Sequence, residues 1–466
     1  MVNNQKLFEE LRTKYPKFYF RDIDYSYSKD NGLDITYTFE IEGLAVFTPT
    51  WHFDVITELI NRIEISDNRL DELVSSLGMV ELCSYWKLTC SPEVIVEAMP
   101  LSIEQLQWFK KLYWNNLTEF LYENSIDTDF DSFMNLQAVD THRMDIRTFY
   151  STFPSRKIKN SVLIPVGGGK DSCVTLDLLR DQDRYGFVIN STVAQSDCID
   201  KTGILHKSIL SRRNFDRQFF VLGKEGFLTG HIPFTQVAMF SALVAAYING
   251  IGRIAFSNET SPSTNFAQDA YFDRVHPKSV DFEKIFRQYE KEYLCTGIEC
   301  FSFLRPYSDL EIASVFSRLK QFHRAFGSCN NSVDADLWCC KCMKCLSTYI
   351  MLSPFLTIVE MDGIFGSRLL EDESLLEDFK KLCGFTISKP FDFAGSREDV
   401  FKACDELIRQ YEEKELKLPY LLDYYKSKRS RETTREQFES YTHHIYKNHC
   451  VPAEFLPRLK VALNRR

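Results

Sequence analysis

The stretch at residues 161–172, SVLIPVGGGKDS, decides how this 466-residue chain folds. Ser161 to Val166 form a short apolar run of the kind that makes a buried strand, and Gly167, Gly168 and Gly169 follow at once. Residues 173–179 continue as a helix. Glycines at such a junction let the backbone turn tightly and bring N–H groups up to an anion with no Cβ in the way. The helix N-terminus adds partial positive charge and unpaired N–H groups. Lys170 supplies a point charge and Ser172 a hydroxyl, and Lys170 and Asp171 are expected as exposed polar groups of the loop. This is a phosphate cradle; the plain alternative is a tight turn with no ligand. It is neither G-x-x-x-x-G-K-[ST], because Asp171 follows the lysine, nor G-x-G-x-x-G.

Outward from the loop the same grammar repeats. Residues 185–192 (YGFVINST), 219–222 (FFVL) and 253–257 (RIAFS) are further strand candidates, and residues 235–249 a buried helix. Strands alternating with helices predict βαβ units, hence an α/β fold with a parallel sheet covered on both faces. Upstream, Leu33, Ile35, Tyr37, Phe39 and Ile41 alternate without a break. Glu42 and Gly43 then turn the chain towards Leu44, Val46 and Phe47, a hairpin with one buried face. Ser102 and Gln105 resemble a capping box ahead of Leu106, Phe109, Tyr113, Leu117 and Phe120 at helical spacing. Residues 1–155 therefore read as an N-terminal α+β domain, residues 156–360 as the α/β domain, and residues 361–466 as a helical C-terminal region. Helices are expected there over 402–416 and 432–446. The run at 426–431 (KSKRSR) is a solvated basic surface or, alternatively, a meeting point for an anionic substrate.

Composition narrows the function classes. With 44% hydrophobic and 14% aromatic residues, disordered and fibrous classes are excluded. Lys and Arg number 56 against 65 Asp and Glu, a net charge of −9, so the chain is not built to coat nucleic acid. The opening MVNNQKLFEELRTKY has no apolar signal region, and the longest apolar run, 237–248, is shorter than the roughly 20 residues that span a bilayer. A cytoplasmic protein that enters no membrane is expected. Of fourteen cysteines, five crowd into residues 329–345, where metal binding is a better reading than disulfides. Cys329, Cys339, Cys342 and Cys345 read C-x9-C-x2-C-x2-C, four thiolates for a closed, structural zinc tetrahedron. The spacing leaves the membership of Cys340 open. Buried free thiols and an iron–sulfur cluster are the alternatives.

The glycine loop resembles the SGGxDS loop of the N-type ATP pyrophosphatases (the PP-loop superfamily, with a HUP-like core), with Gly167 where serine is usual. Those enzymes cleave ATP between the α- and β-phosphates. The cysteine pattern is similar to the zinc site of 7-cyano-7-deazaguanine synthases, which carry the same loop. Several segments then narrow the likeness: CSYWK (83–87), LYWNNLTEFLYEN (112–124), PVGGGKDS (165–172), GHIP (230–233), SNE (257–259) and FLRPYSDL (303–310). With residues 338–345 running on to Pro354 and Phe355, the chain resembles the MurL-type UDP-N-acetylmuramoyl-L-alanyl-L-glutamate epimerases of bacterial peptidoglycan synthesis. After residue 360 the likeness gives no firm match.

That resemblance implies an ATP-dependent isomerase, active in cell-wall biogenesis and cell shape, that inverts the terminal L-glutamate of UDP-MurNAc-L-Ala-L-Glu and releases AMP and pyrophosphate. Adenylation of the carboxylate would make the α-proton removable. ATP, Mg²⁺ and a structural Zn²⁺ are the implied cofactors, and a small molecule, not nucleic acid or membrane, the partner. Gly167, Gly168, Gly169, Lys170, Asp171, Ser172 and Arg305 are expected at the nucleotide. Glu259, after the strand at 253–256, is a metal ligand or base, or else a surface carboxylate. His231, His276 and Lys278 are candidate proton-transfer groups, each alternatively structural. Asp309 and Glu311 open a helix and read as complements to its dipole. Two rivals stand: a PP-loop enzyme adenylating another acceptor (7-cyano-7-deazaguanine synthase-like or tRNA-modifying), and a non-enzymatic nucleotide- and zinc-binding protein.

Overall fold

The structure is a computed structural model that describes residues 3–60, 65, 67–141, 159–232, 234–260, 278–329, 331, 337–386 and 395–464. The chain forms two compact units, each assembled from separated segments. Unit 1 comprises Met1–Leu163, Ile209–Ile254 and Asn265–Glu299; unit 2 comprises Ile164–Ser208, Ala255–Thr264 and Cys300–Arg466. The strands are β1 (Lys17–Ser28), β2 (Gly32–Ile41), β3 (Ala45–Phe47), β4 (Thr50–Phe53), β5 (Glu93–Val96), β6 (Asn135–Ala138), β7 (Lys159–Pro165), β8 (Asp183–Ile189), β9 (Ser208–Asn214), β10 (Ile251–Phe256) and β11 (Glu299–Ser302).

Unit 1 holds the expected hairpin, in which β2 turns back into β3 with Phe39 opposite Phe47 and Ile41 opposite Ala45. β1 and β2 pair antiparallel from Phe18 opposite Ile41 to Ser28 opposite Gly32, with a bulge at Arg21 between Phe20 and Asp22. The alternating residues Leu33, Ile35, Tyr37, Phe39 and Ile41 all face the core. The helix Asp67–Trp86 lies close to this face. At Gly78 a Cβ would fall 2.6 Å from the Phe20 ring and 2.7 Å from the Tyr37 ring, so only glycine permits that approach. β2 also pairs antiparallel with β4, and β4 with β9, while β5 runs parallel to β1 and β6 parallel to β5. Hairpins and parallel neighbours therefore occur together in unit 1, and β9, expected in the parallel-sheet domain, pairs antiparallel with β4. The Ser102–Gln105 capping box opens the helix Ile103–Asn116, and the apolar helix Phe234–Ile248 is almost wholly buried.

One strand candidate is overturned. Residues 219–222 lie in the helix Arg217–Lys224, and the strand is β9, just before it. Asp216 caps the helix by accepting from the Gln218 N–H at 2.8 Å. Phe219 and Leu222, three apart, are buried, while Phe220 is 54% exposed: a helical period hidden inside an apolar run.

Unit 2 carries the carboxyl ends of β7, β8, β10 and β11, which neighbour one another in the order β11–β10–β7–β8. β7 and β10 are parallel, with Arg253 opposite Val162 and Ile254 opposite Leu163. Helices dominate the rest. The expected helix over 402–416 runs Arg397–Glu413 behind a Ser396–Asp399 capping box. The one expected over 432–446 is only Arg435–Tyr441, closed when the Thr442 hydroxyl bonds back to the Phe438 carbonyl. No helix among the described residues is long and apolar enough to cross a membrane.

Candidate functional site

The glycine loop leaves β7 at Pro165, and the Val166 N–H bonds the Phe187 carbonyl at 2.8 Å. Gly168 has φ +81°, and a Cβ there would sit 3.1 Å from both the Ala194 Cβ and the Gln195 nitrogen. Glycine is demanded twice over, by torsion and by space. Its carbonyl accepts from the Gly327 N–H at 2.9 Å and from the Cys198 thiol at 3.5 Å, which pins the turn from behind. At Gly167 a Cβ would meet nothing within 4 Å. Gly169 is the N-cap of the helix Lys170–Leu178, and no side chain caps the first turn. Its N–H groups and dipole therefore remain for an anion. The Ser172 hydroxyl donates to the Gly169 carbonyl at 2.9 Å, bracing the turn.

Lys170 is not the exposed group the sequence suggested. Its side chain is 9% exposed, and its ammonium donates to Asp171 at 2.6 Å and to the buried Asp309. Burial opposes the ammonium charge, but the two carboxylates outweigh it and hold Lys170 protonated. Burial pushes the Asp309 carboxyl up to about 6; Asp171 and Asp399 push the same way, against the pull of Lys170. Asp309 opens the helix Asp309–Ser317, which a Ser308–Glu311 capping box initiates. Burial likewise raises Glu311, to about 8. Asp309 thus does more than complement a dipole: it closes the loop lysine from a position 139 residues away.

At the carboxyl end of β10, the Ser257 and Thr175 hydroxyls meet at 2.8 Å, and Thr175 donates to the Asp171 carbonyl at 3.1 Å. A hydrogen-bond chain thereby ties the loop helix to the strand end. The Asn258 amide donates to the Ser302 hydroxyl at 3.1 Å. Glu259 is 5% exposed, not a surface carboxylate. Arg305 is also buried; its guanidinium donates to the Glu259 carbonyl and to the Ser302 hydroxyl, joining the ends of β10 and β11. Ligands in open α/β sheets bind at such strand ends. Three of the four basic residues at 426–431 are paired: Lys426 with Glu412, Arg429 with Asp405 and Glu432, and Arg431 with Glu398.

His231 belongs to unit 1. Its Nδ1 lies 3.2 Å from a Glu119 carboxylate oxygen, and its N–H donates to Glu123 at 3.3 Å. Lys87, 1% exposed, donates to the Gly230 carbonyl at 2.5 Å and to the His231 carbonyl at 3.4 Å. Burial lowers the Lys87 pKa to about 8, and Arg213 reinforces the shift. Lys278 is exposed and lies in unit 1, and His276 lies outside the described residues. Lys87, Glu119 and Glu123 escaped notice as site residues, although the first lies in CSYWK and the others in LYWNNLTEFLYEN. Nothing in local spacing announces that they converge on one histidine.

The four cysteines gather as expected. The sulfurs of Cys329, Cys339, Cys342 and Cys345 all lie within 4.8 Å of one another, with separations of 3.8 Å (Cys329–Cys342), 3.8 Å (Cys339–Cys345) and 3.4 Å (Cys342–Cys345). Zinc–thiolate bonds of about 2.3 Å set tetrahedral sulfurs roughly 3.8 Å apart, so the cluster can hold a zinc ion. The Asn331 and Cys345 N–H groups donate to the Cys329 and Cys342 sulfurs, the support a thiolate ligand needs. Cys340 stands apart: its φ is +56° and its thiol reaches the Phe365 carbonyl at 3.2 Å.

Comparisons with known proteins point the same way. The chain matches the MurL N-terminal domain family over residues 9–303 and the MurL C-terminal domain family over residues 324–437. Three relatives carry the name UDP-N-acetyl-alpha-D-muramoyl-L-alanyl-L-glutamate epimerase. The protein of Xanthomonas oryzae pv. oryzae is 26% identical over 392 residues, covering 80% of this chain and 84% of the relative. That of Salinispora tropica is 30% identical over 356 residues (73% and 75%), and that of a Micromonospora species 28% over 352 residues (73% and 76%). No solved structure matches. With the first of these matches alone covering more than half its length, the chain belongs to the MurL family.

Proposed function

We propose that the chain is an isomerase that inverts the terminal L-glutamate of UDP-MurNAc-L-Ala-L-Glu to D-glutamate, driven by ATP cleavage to AMP and pyrophosphate. Membership of a family whose relatives are named for that epimerisation supports the substrate. The observation that carries the ATP dependence is the uncapped helix N-terminus behind Gly168, with Lys170 fixed beside it between Asp171 and Asp309. This reading places the chain in the PP-loop superfamily and in cytoplasmic peptidoglycan precursor synthesis.

In the proposed reaction an oxygen of the glutamate carboxylate attacks the α-phosphorus of ATP, and the bond to the bridging oxygen of pyrophosphate breaks. The first-turn N–H groups of the helix Lys170–Leu178 hold the departing pyrophosphate, with Gly167 leaving room for its oxygens. Mg²⁺, held through Asp171 and phosphate oxygens, would supply charge neutralisation. The acyl phosphate no longer carries the full carboxylate charge, so a base can take the α-proton and an acid can return one on the opposite face. Water then cleaves the acyl–phosphate bond and frees AMP. His231, Glu259, His276 and Lys278 are the proposed pool for the acid and base, Arg305 orders the strand ends beside the nucleotide, and a zinc ion on the four cysteines serves structure alone.

One experiment tests this. The protein is incubated in D₂O with ATP, Mg²⁺ and UDP-MurNAc-L-Ala-L-Glu, and D-glutamate, AMP, pyrophosphate and α-deuterium are measured together. All four should rise in step. AMP release without α-deuterium would mean that the chain activates a carboxylate for another acceptor.

A further inference from the structure

The segment ending in His231 is fastened at every residue. The Leu228 N–H donates to the Leu88 carbonyl at 3.2 Å, and the Asn124 amide donates to the Thr229 carbonyl at 3.0 Å. Gly230 has φ +140°, and a Cβ there would lie 3.1 Å from a Glu123 carboxylate oxygen, so glycine is required where the chain passes that side chain. Lys87 then donates to the Gly230 and His231 carbonyls, and Glu123 accepts from the His231 backbone N–H. The segment has no regular secondary structure. It leads to an imidazole ring that is 35% exposed and whose Nδ1 is held by Glu119.

A buried lysine is an expensive way to hold a turn, because desolvating an ammonium disfavours its charge. Its three donors suit two backbone carbonyls converging on one point. A carboxylate on one imidazole nitrogen sets the tautomer and strengthens the other nitrogen as a base. We infer that Glu119 and Lys87 are positioning residues that make His231 a proton-transfer group of the epimerisation, Glu119 by orienting and polarising the ring and Lys87 by fixing the backbone that carries it. This rests on the epimerase reading above. The balance is simple: Nε2 takes the α-proton of the activated glutamate, the imidazolium is stabilised by Glu119, and the group on the opposite face supplies the returning proton.

Among the described residues, Glu119 faces the ring and Glu123, on the same helix Thr118–Glu123, faces its backbone N–H, with Lys87 behind the backbone and Arg213, Cys83 and Cys90 acting on Lys87 in turn. The Glu119 carboxylate, 3.2 Å from Nδ1, stabilises positive charge on the ring, which a neutral amide there would not do. The test is α-deuterium uptake per AMP released, measured against pH in D₂O with ATP, Mg²⁺ and UDP-MurNAc-L-Ala-L-Glu. In Glu119→Gln the ratio should fall about 10²-fold, the scale of a general base. The acid limb of the profile should move to lower pH, as expected for loss of an opposite charge beside the ring. Glu119→Asp, which keeps the charge, should restore part of the ratio. Lys87→Met should lower the ratio about tenfold, with folding checked by circular dichroism; should it not fold, the Glu119 pair carries the test. A folded Glu119→Gln protein with wild-type ratio and acid limb would overturn the inference and leave the epimerase reading standing. A fall in AMP release and deuterium uptake in equal proportion would overturn it as well. Wild-type protein that releases AMP but never exchanges the α-proton would instead overturn the epimerase reading.

Discussion

Adjacent glycines in the glycine loop should respond oppositely to the same methyl group. In Gly168→Ala the new side chain must adopt φ near +81°, which costs roughly 1–2 kcal/mol for an L-residue. It also arrives 3.1 Å from the Ala194 Cβ and the Gln195 backbone, at the start of the helix Val193–Asp200. Moving that helix end adds on the order of 1–3 kcal/mol. The sum, roughly 2–5 kcal/mol, should lower the melting temperature by about 5–15 °C for a unit of this size. In Gly167→Ala the methyl meets nothing within 4 Å and the torsion is an ordinary one, so stability should change by less than about 0.5 kcal/mol. If phosphate occupies that open space, its KM for ATP should nevertheless rise about tenfold, equivalent to about 1.4 kcal/mol of lost binding. Calorimetry on the two proteins and initial rates of AMP release separate the effects. Equal melting temperatures for Gly168→Ala and wild type, or unfolding of Gly167→Ala, would refute the reasoning.

Asp309→Asn should change how stability depends on pH. The folded-state pKa of Asp309 is raised, so the wild type carries a stabilising proton at low pH and loses that contribution as pH rises from about 4 through about 6. The variant should show a flatter urea-stability profile over that window. Metal analysis should find about one zinc per chain in the wild type and in Cys340→Ser, while Cys342→Ser should lose it and melt at a lower temperature. In unit 1, Arg213 and Glu81 form a fully buried pair at 2.8 Å, with Trp51 and Ser84 bonded to it. Glu81→Ala should cost about 3–5 kcal/mol in a denaturant titration because it strands the guanidinium, and replacing both partners with apolar residues should cost less.

Local pattern carried a good part of the fold. The hairpin face from Leu33 to Ile41, the Ser102 capping box and the strand-to-loop junction at residues 161–172 all announce themselves within a dozen residues, because strand and helix periods are short-range signals. Where composition and period disagreed, composition misled: FFVL at 219–222 has strand-like residues, but Asp216 caps a helix there. The candidate site was legible in its glycine loop and in its cysteines, each gathered in a short stretch of sequence. It was illegible where function depends on distant partners. Asp309 meets Lys170 across 139 residues, and Lys87 meets Gly230 across 143, so no window contains either pair. Cys340 was ambiguous because spacing counts residues but not torsions; a left-handed φ turns its thiol to Phe365.

The division of each compact unit among separated segments has a consequence for how the protein is made. The boundaries at 163/164, 254/255 and 299/300 fall inside β7, β10 and β11, so the chain changes unit in mid-strand. On the ribosome, unit 1 cannot be completed when residue 163 has been synthesised; it waits for residues up to 299. At about 5–20 residues per second that delay is roughly 7–27 s. Throughout the first part of it β4 has one edge without β9, its antiparallel partner, and an unpaired edge invites pairing with another nascent chain. A shortened gene ending near residue 163 would make that delay permanent, and its product should collect in inclusion bodies. Soluble fragments should instead require residues 1–299 in one piece, or two complementary pieces synthesised together.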